Sequence, residues 1–180
     1  NSASTQATWA LAFGGGFITY NSSFLVERNV IARNTVLAPN STAGPGYGAG
    51  FHANAILLSL VFRSNTVVDN IVRTESSQSA LGGGISLMTY DSESHIVLSG
   101  NFVADNQVIG DPLSSGGGIY VQDGDPWLEN NIVVKNRAMT GGGVGLIRTD
   151  PTIEAAPPTL INNTITRNRA TSGQSADNLS

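Results

Sequence analysis

The side chains best suited to chemistry in this chain are acids in short polar segments. Asp91 and Glu93, Asp123 and Asp125, and Asp150 and Glu154 fall at comparable places after an apolar stretch. Stacked, they form a column of carboxylates, and a hard cation such as Ca²⁺ takes several oxygen ligands of that kind. Asp91, Asp123, Asp125 and Asp150 are therefore the candidate calcium ligands. Glycoside hydrolysis is another use of paired acids, and needs two carboxyl groups roughly 5 Å or 6.5–9.5 Å apart. The competing reading is turn chemistry, which Asp123-Gly124-Asp125-Pro126 and Asp150-Pro151 suit well. Tyr120, Gln122 and Arg148 flank the acids and are the candidate ligand-binding residues. No spacing matches a specific catalytic motif, so no catalytic residue is assigned.

His52 and His95 are the only histidines, and they fall in different segments. His52 is expected to point outward into solvent. Ser86 lies one repeat along from it, but the strand–turn–helix setting of a nucleophile elbow is missing. Tyr20, Tyr90, Tyr120 and Trp127 are candidates for an aromatic glycan platform, although Trp127, beside the apolar Leu128, reads equally as packing. With no cysteine, disulfides, thiolate metal sites and thiol nucleophiles are excluded. A net charge of −4, with Lys135 the sole lysine, argues against a nucleic-acid partner, which needs a basic stripe. No apolar run approaches the roughly 20 residues of a membrane helix, so no membrane span is expected.

The elements that position these residues come from a five-fold internal repeat. A glycine triplet followed by an apolar residue recurs at Gly14-Gly15-Gly16-Phe17, Gly48-Ala49-Gly50-Phe51, Gly82-Gly83-Gly84-Ile85, Gly116-Gly117-Gly118-Ile119 and Gly141-Gly142-Gly143-Val144. The triplets start 34, 34, 34 and 25 residues apart. An apolar-x-x-Asn-x-apolar-x-x-Asn signature alternates with them. Its asparagine pairs are Asn29 and Asn34, Asn65 and Asn70, Asn101 and Asn106, Asn131 and Asn136, and Asn163 and Asn168. Such a period signals a solenoid, a propeller or an array.

Within each repeat the apolar residues alternate with period two, which is a strand signal. The positions after the triplets, those two residues on, and Val36, Val72, Val108, Ala138 and Ala170 read as inward columns. Like stacks on like, as a β-helix requires, with parallel strands about 4.8 Å apart. The ten paired asparagines are structural: Asn tolerates left-handed corners, and stacked Asn side chains form amide ladders. The residue before each second asparagine reads Arg33, Asp69, Asp105, Lys135 and Arg167, a stacked mixed-charge column expected to help set coil register. Glycine triplets oppose a helix, and two strand signatures per repeat are too few for a propeller blade. The reading is one all-β domain, residues 1–180, a parallel β-helix of about five coils, and a mature product or a fragment of a longer solenoid.

The glycine–glycine–small–aliphatic signature alternating with apolar-x-x-Asn resembles the repeats of polymorphic outer-membrane protein passenger domains. More broadly, residues 14–170 resemble right-handed parallel β-helix proteins of the pectate-lyase-like superfamily. This chain departs from the repeat in its third glycine and in Val26, Leu98, Leu128 and Leu160 at the usual Phe position. The resemblance implies a secreted or cell-surface location of bacterial type. It also implies a role among adhesins, structural passengers and polysaccharide-degrading enzymes; in lyases of that kind Asp-bound Ca²⁺ works with an Arg base, for which Arg148 is the nearest candidate. The favoured expectation is a non-catalytic extracellular module with a structural or adhesive role, its end coils packing on like subunits or flanking coils. The alternative is a polysaccharide-binding or polysaccharide-degrading β-helix, a lyase or glycoside hydrolase, with a calcium-dependent acidic face and an extracellular polysaccharide as partner.

Overall fold

The computed structural model describes residues 2–4, 12–38, 45–54, 59–74, 79–89, 94–149 and 157–171. Every described strand pairing is parallel and joins one coil to the next. Four sheets run the length of the solenoid. Sheet 1 holds the strands that follow the triplets: Phe17–Tyr20, Phe51–Asn54, Ile85–Met88, Ile119–Gln122 and Val144–Ile147. Sheet 2 comes next with Phe24–Glu27, Ser59–Arg63, His95–Ser99, Asp125–Glu129 and Thr159–Ile161. Sheet 3 holds Val30–Ala32, Thr66–Val68, Phe102–Ala104, Ile132–Val134 and Thr164–Thr166. Sheet 4 has Thr35–Ala38, Ile71–Thr74, Gln107–Ile109, Arg137–Ala138 and Arg169–Ala170, with Ser2–Ser4 added at its start. A shorter sheet 5, Ala12–Phe13, Gly46–Tyr47 and Ala80–Leu81, precedes the triplets and continues as bridges at Ser115 and Thr140. The strands of sheets 1 to 3 define coils 1 to 5.

The register is the one the repeat dictates. Phe51 aligns with Ile85, Ile85 with Ile119, and Ile119 with Val144. The main core lies between sheets 1, 2 and 3, with Phe51, Phe62, Leu87, Leu98, Ile119 and Leu128 fully or almost fully buried. A second, smaller core of Val36, Val72, Val108, Ala138, Ala38, Ala49 and Ala80 lies behind sheet 4. The aromatic residues cluster in the first coils: Phe17 stacks on Phe51 at 5.6 Å, and Phe51 meets Phe62 at 5.0 Å.

The corners differ from expectation in one respect. The left-handed residue is not the asparagine but the residue before it. Arg28, Ser64, Gly100, Asn130 and Asn162 at the first corner, and Arg33, Asp69, Asp105, Lys135 and Arg167 at the second, all have φ between 52° and 61°. This leaves each asparagine free to build its ladder. Asn70 N–H and Nδ2 both donate to Asn106 Oδ1, at 3.0 and 2.9 Å, and Asn70 Nδ2 also donates to Ile31 O at 3.0 Å. The pattern repeats from Asn106 to Asn136 and from Asn136 to Asn168. A parallel ladder links Asn29, Asn65, Asn101, Asn131 and Asn163. Buried amides are costly unless bonded, and the ladders bond them while pinning coil to coil.

The expected mixed-charge column is a row of neighbours rather than of pairs: none of Arg33, Asp69, Asp105, Lys135 and Arg167 makes an ion pair among the described residues. An ion pair does lie along a stacked column of sheet 2, where Glu27 and Arg63 meet in register at 2.7 Å.

The glycines do two jobs. The first of each triplet has positive φ, 66° at Gly82, which favours glycine. The third sits against the ladder: a Cβ on Gly84 would stand 2.7 Å from Gly118 O and 3.0 Å from the Asn106 amide.

Candidate functional site

Sheet 1 alternates as read, but beyond coil 1 its outward side chains are not in solvent. Ile18, His52, Ser86, Tyr120 and Gly145 align in register. Ile18 is exposed, whereas His52 and Ser86 are fully buried and Tyr120 is 3% exposed. The expectation of a solvent-facing His52 is therefore corrected. The positive-φ glycine turns the chain back so closely that a Cβ on Gly48 would lie 2.8 Å from His52 Cβ. The Tyr47 ring then packs over His52 at 5.3 Å. Burial lowers the His52 pKa to about 4, opposed by a backbone hydrogen bond with Ser86. Neutral His52 and the Ser86 side chain in register with it are both shut away from solvent.

The last polar residues of the same sheet do converge. Tyr120 Oη donates to Gln122 Oε1 at 3.1 Å, and Gln122 Nε2 donates to Thr149 Oγ1 at 3.4 Å. Thr149 in turn clasps Asp123: its N–H reaches Oδ1 at 2.7 Å and its hydroxyl reaches Oδ2 at 2.6 Å. Asp123 has φ of 55° and Gly124 of 80°, and Asp123 N–H donates to Ile147 O at 2.8 Å. The turn reading of this segment is thus correct, and the turn fixes the carboxylate. Burial, with Tyr47 and Asp123 adding to it, pushes the Tyr120 phenol well above its ordinary pKa.

A cleft of about 280 Å³ opens beside this network, between coils 4 and 5. Val121 and Leu146, both from an inward core column, form part of its lining together with Pro126, Pro157 and Pro158. Asp123 and Arg148 bring charge to it. Three of the predicted residues, Tyr120, Gln122 and Asp123, are therefore joined in one network, with Arg148 at the neighbouring cleft. Thr149, which holds Asp123, is not singled out by the sequence. Its only signal is its place in Thr-Asp-Pro, which reads as a turn.

Asp125 has other company. Its Oδ2 lies 3.9 Å from His95 Nδ1, in register one coil away, and its buried Oδ1 has no hydrogen-bond partner among the described residues. Asp91, Asp150, Glu93 and Glu154 lie outside the described residues. Among the described residues, no group of three or more His, Asp or Glu stands ready to hold a metal ion. The aromatic platform does not assemble from its described members either. Tyr120 is buried, Tyr20 is exposed on coil 1, and Tyr90 lies outside the described residues. Trp127 faces outward from sheet 2, 43% exposed, its Nε1 donating to Glu129 at 3.2 Å, so its packing reading is corrected.

Among the described residues no helix is long and apolar enough to cross a membrane. No curated protein and no solved structure matches the chain. Residues 12–165 match the family model of the right-handed β-helix region, and with this all-parallel solenoid the chain belongs to that family.

Proposed function

We propose that the chain is a non-catalytic, extracellular or cell-surface structural module with an adhesive role. The observation that carries this reading is how its polar side chains are used. Ladder amides are bonded coil to coil, and among the described residues the carboxylate that lines the cleft, Asp123, has both oxygens clasped by Thr149. A general acid or nucleophile needs a carboxylate free to reach substrate. Packing of the end coils on like subunits or flanking coils is supported by the inward columns. Phe17 is 51% exposed where Phe51 is fully buried, and Leu160 is 41% exposed where Leu128 is fully buried. The test is incubation of the purified chain with acidic and neutral polysaccharides, then assays for chain cleavage and for binding. Retention of a glycan without new chain ends is expected; sustained cleavage overturns the reading.

A second reading, a calcium-dependent polysaccharide-binding or polysaccharide-degrading β-helix, is favoured by the cleft that Asp123 and Arg148 line. On that reading Asp123→Asn abolishes calcium binding and cleavage together. On the first, it costs stability alone.

A further inference from the structure

The outer face of sheet 3 carries no charge. Its strands present Val30, Thr66, Phe102, Ile132 and Thr164 in one outward column, in register. The second column, two residues on, is alanine, valine and threonine. Val30 is 76% exposed, Phe102 40% and Ile132 45%. Along one edge of this face run the second-corner residues Arg33, Asp69, Asp105, Lys135 and Arg167, all exposed. Asp69 and Asp105 stand on adjacent coils, with strands about 4.8 Å apart, and no cation pairs with either among the described residues. An uncharged centre with an unpaired charged rim is the anatomy of a protein–protein contact.

The order of the rim charges, plus, minus, minus, plus, plus, selects the partner. A second copy laid face to face and antiparallel, about a two-fold axis along the strands between coils 3 and 4, sets coil 2 against coil 5 and coil 3 against coil 4. Asp69 then faces Arg167 of the second copy, and Asp105 faces Lys135 of the second copy. By symmetry each pair occurs twice. Phe102 meets Ile132 of the second copy at the centre. Shifting the axis to coil 3 opposes Asp105 to itself and Arg33 to Arg167. Shifting it between coils 2 and 3 opposes Asp69 to Asp105 and Arg33 to Lys135. Shifting it to coil 4 opposes Lys135 to itself, and to coil 2, Asp69 to itself. The opposite edge is neutral over coils 2 to 5: Ser64, Gly100, Asn130 and Asn162.

We propose that the sheet 3 face is the docking surface for a second copy of this chain, paired antiparallel in this register. The proposal rests on the fold and not on the proposed function. The face spans four strands about 4.8 Å apart and three residues of about 3.3 Å each. This is below the roughly 800 Å² per partner of a standard stable interface, so the dimer is weak, concentration-dependent and sensitive to salt.

Sedimentation velocity on the whole chain, from micromolar to near-millimolar at low and high salt, tests it. A dimer that strengthens with concentration and weakens with salt is expected. Phe102→Asp should weaken it by about tenfold or more with the thermal midpoint little changed. Asp105→Lys should also weaken it, and Asp105→Lys with Lys135→Asp should restore it, because the swap re-forms both pairs. A monomer throughout, growth into polymers, indifference to Phe102→Asp, or failure of the swap to restore association overturns the proposal.

Discussion

The outer faces of sheets 1 and 3 share the same alternation and end in opposite environments. On sheet 1 the outward His52, Ser86 and Tyr120 are buried, while on sheet 3 the outward Phe102 and Ile132 stay open to solvent. The difference lies not in the strands but in the segments on either side of them. Sheet 3 is bounded on both sides by two-residue corners, each with one left-handed residue, that carry the chain away from its outer face. Sheet 1 is preceded by the short strands of sheet 5 and by a left-handed glycine, and in coil 2 the Tyr47 ring of sheet 5 lies over His52. Alternation therefore fixes which way a side chain points, and the connecting segments fix whether it meets water.

The sharpest way to break this comparison is to place one charge in each face. Tyr120→Asp puts a carboxylate where Tyr120 is 3% exposed, and should cost about 4 kcal/mol or more, seen as a large fall in the urea midpoint. Phe102→Asp, on an exposed outward position, should cost less than about 1 kcal/mol. Equal costs would mean that the two faces are not covered differently.

Acid titration sharpens it next. The His52 pKa falls from 6.5 to about 4 on folding. Below pH 6.5 the unfolded chain takes up a proton that the folded chain refuses, so stability declines as the pH drops from 6.5 to 4 and the His52 loss levels off below that. The loss from this group is on the order of 3 kcal/mol. Urea unfolding of His52→Leu across the same range should lack that component; an unchanged pH slope would place His52 in water.

Gly82→Ala addresses the turn that builds the cover. Its φ is 66°, and a Cβ there would come within 2.6 Å of Ser86 Cβ. A loss of about 2 kcal/mol is expected in thermal unfolding, with Ser86 and Tyr120 becoming more accessible. The smallest effect is expected at the open surface of sheet 2. Arg63→Ala removes the Glu27 ion pair, whose side chains are 51% and 32% exposed, and should change stability by under about 1 kcal/mol.

Much of this architecture was legible because it is written in repetition. Phe51, Ile85 and Ile119 stack because a parallel solenoid places equivalent residues in register, and the paired asparagines mark its corners. The corner conformation itself was hidden. Arg28, Arg33, Lys135 and Arg167 adopt φ near 55–60°, although neither arginine nor lysine favours that region, because the ladders on either side impose it. The burial of His52 was hidden for a related reason: the segments that lead to each triplet vary in sequence and length, so their packing has no periodic signal. At the candidate site, Asp123, Gln122 and Tyr120 were legible as polar residues ending one strand and starting its turn. Their clasp by Thr149 was not, since it joins residues one coil apart through a variable loop.

The most direct test of the account is hydroxyl-radical footprinting of the native chain, read by mass spectrometry at Phe102 and Tyr120. The two aromatic residues are comparably reactive and share the outward phase of their strands. The expected result is strong labelling of Phe102 and almost none of Tyr120 in dilute solution, with Phe102 becoming protected as the chain is concentrated. Equal labelling of the two would contradict the claim that connecting segments, not alternation, decide what the surface of this solenoid offers.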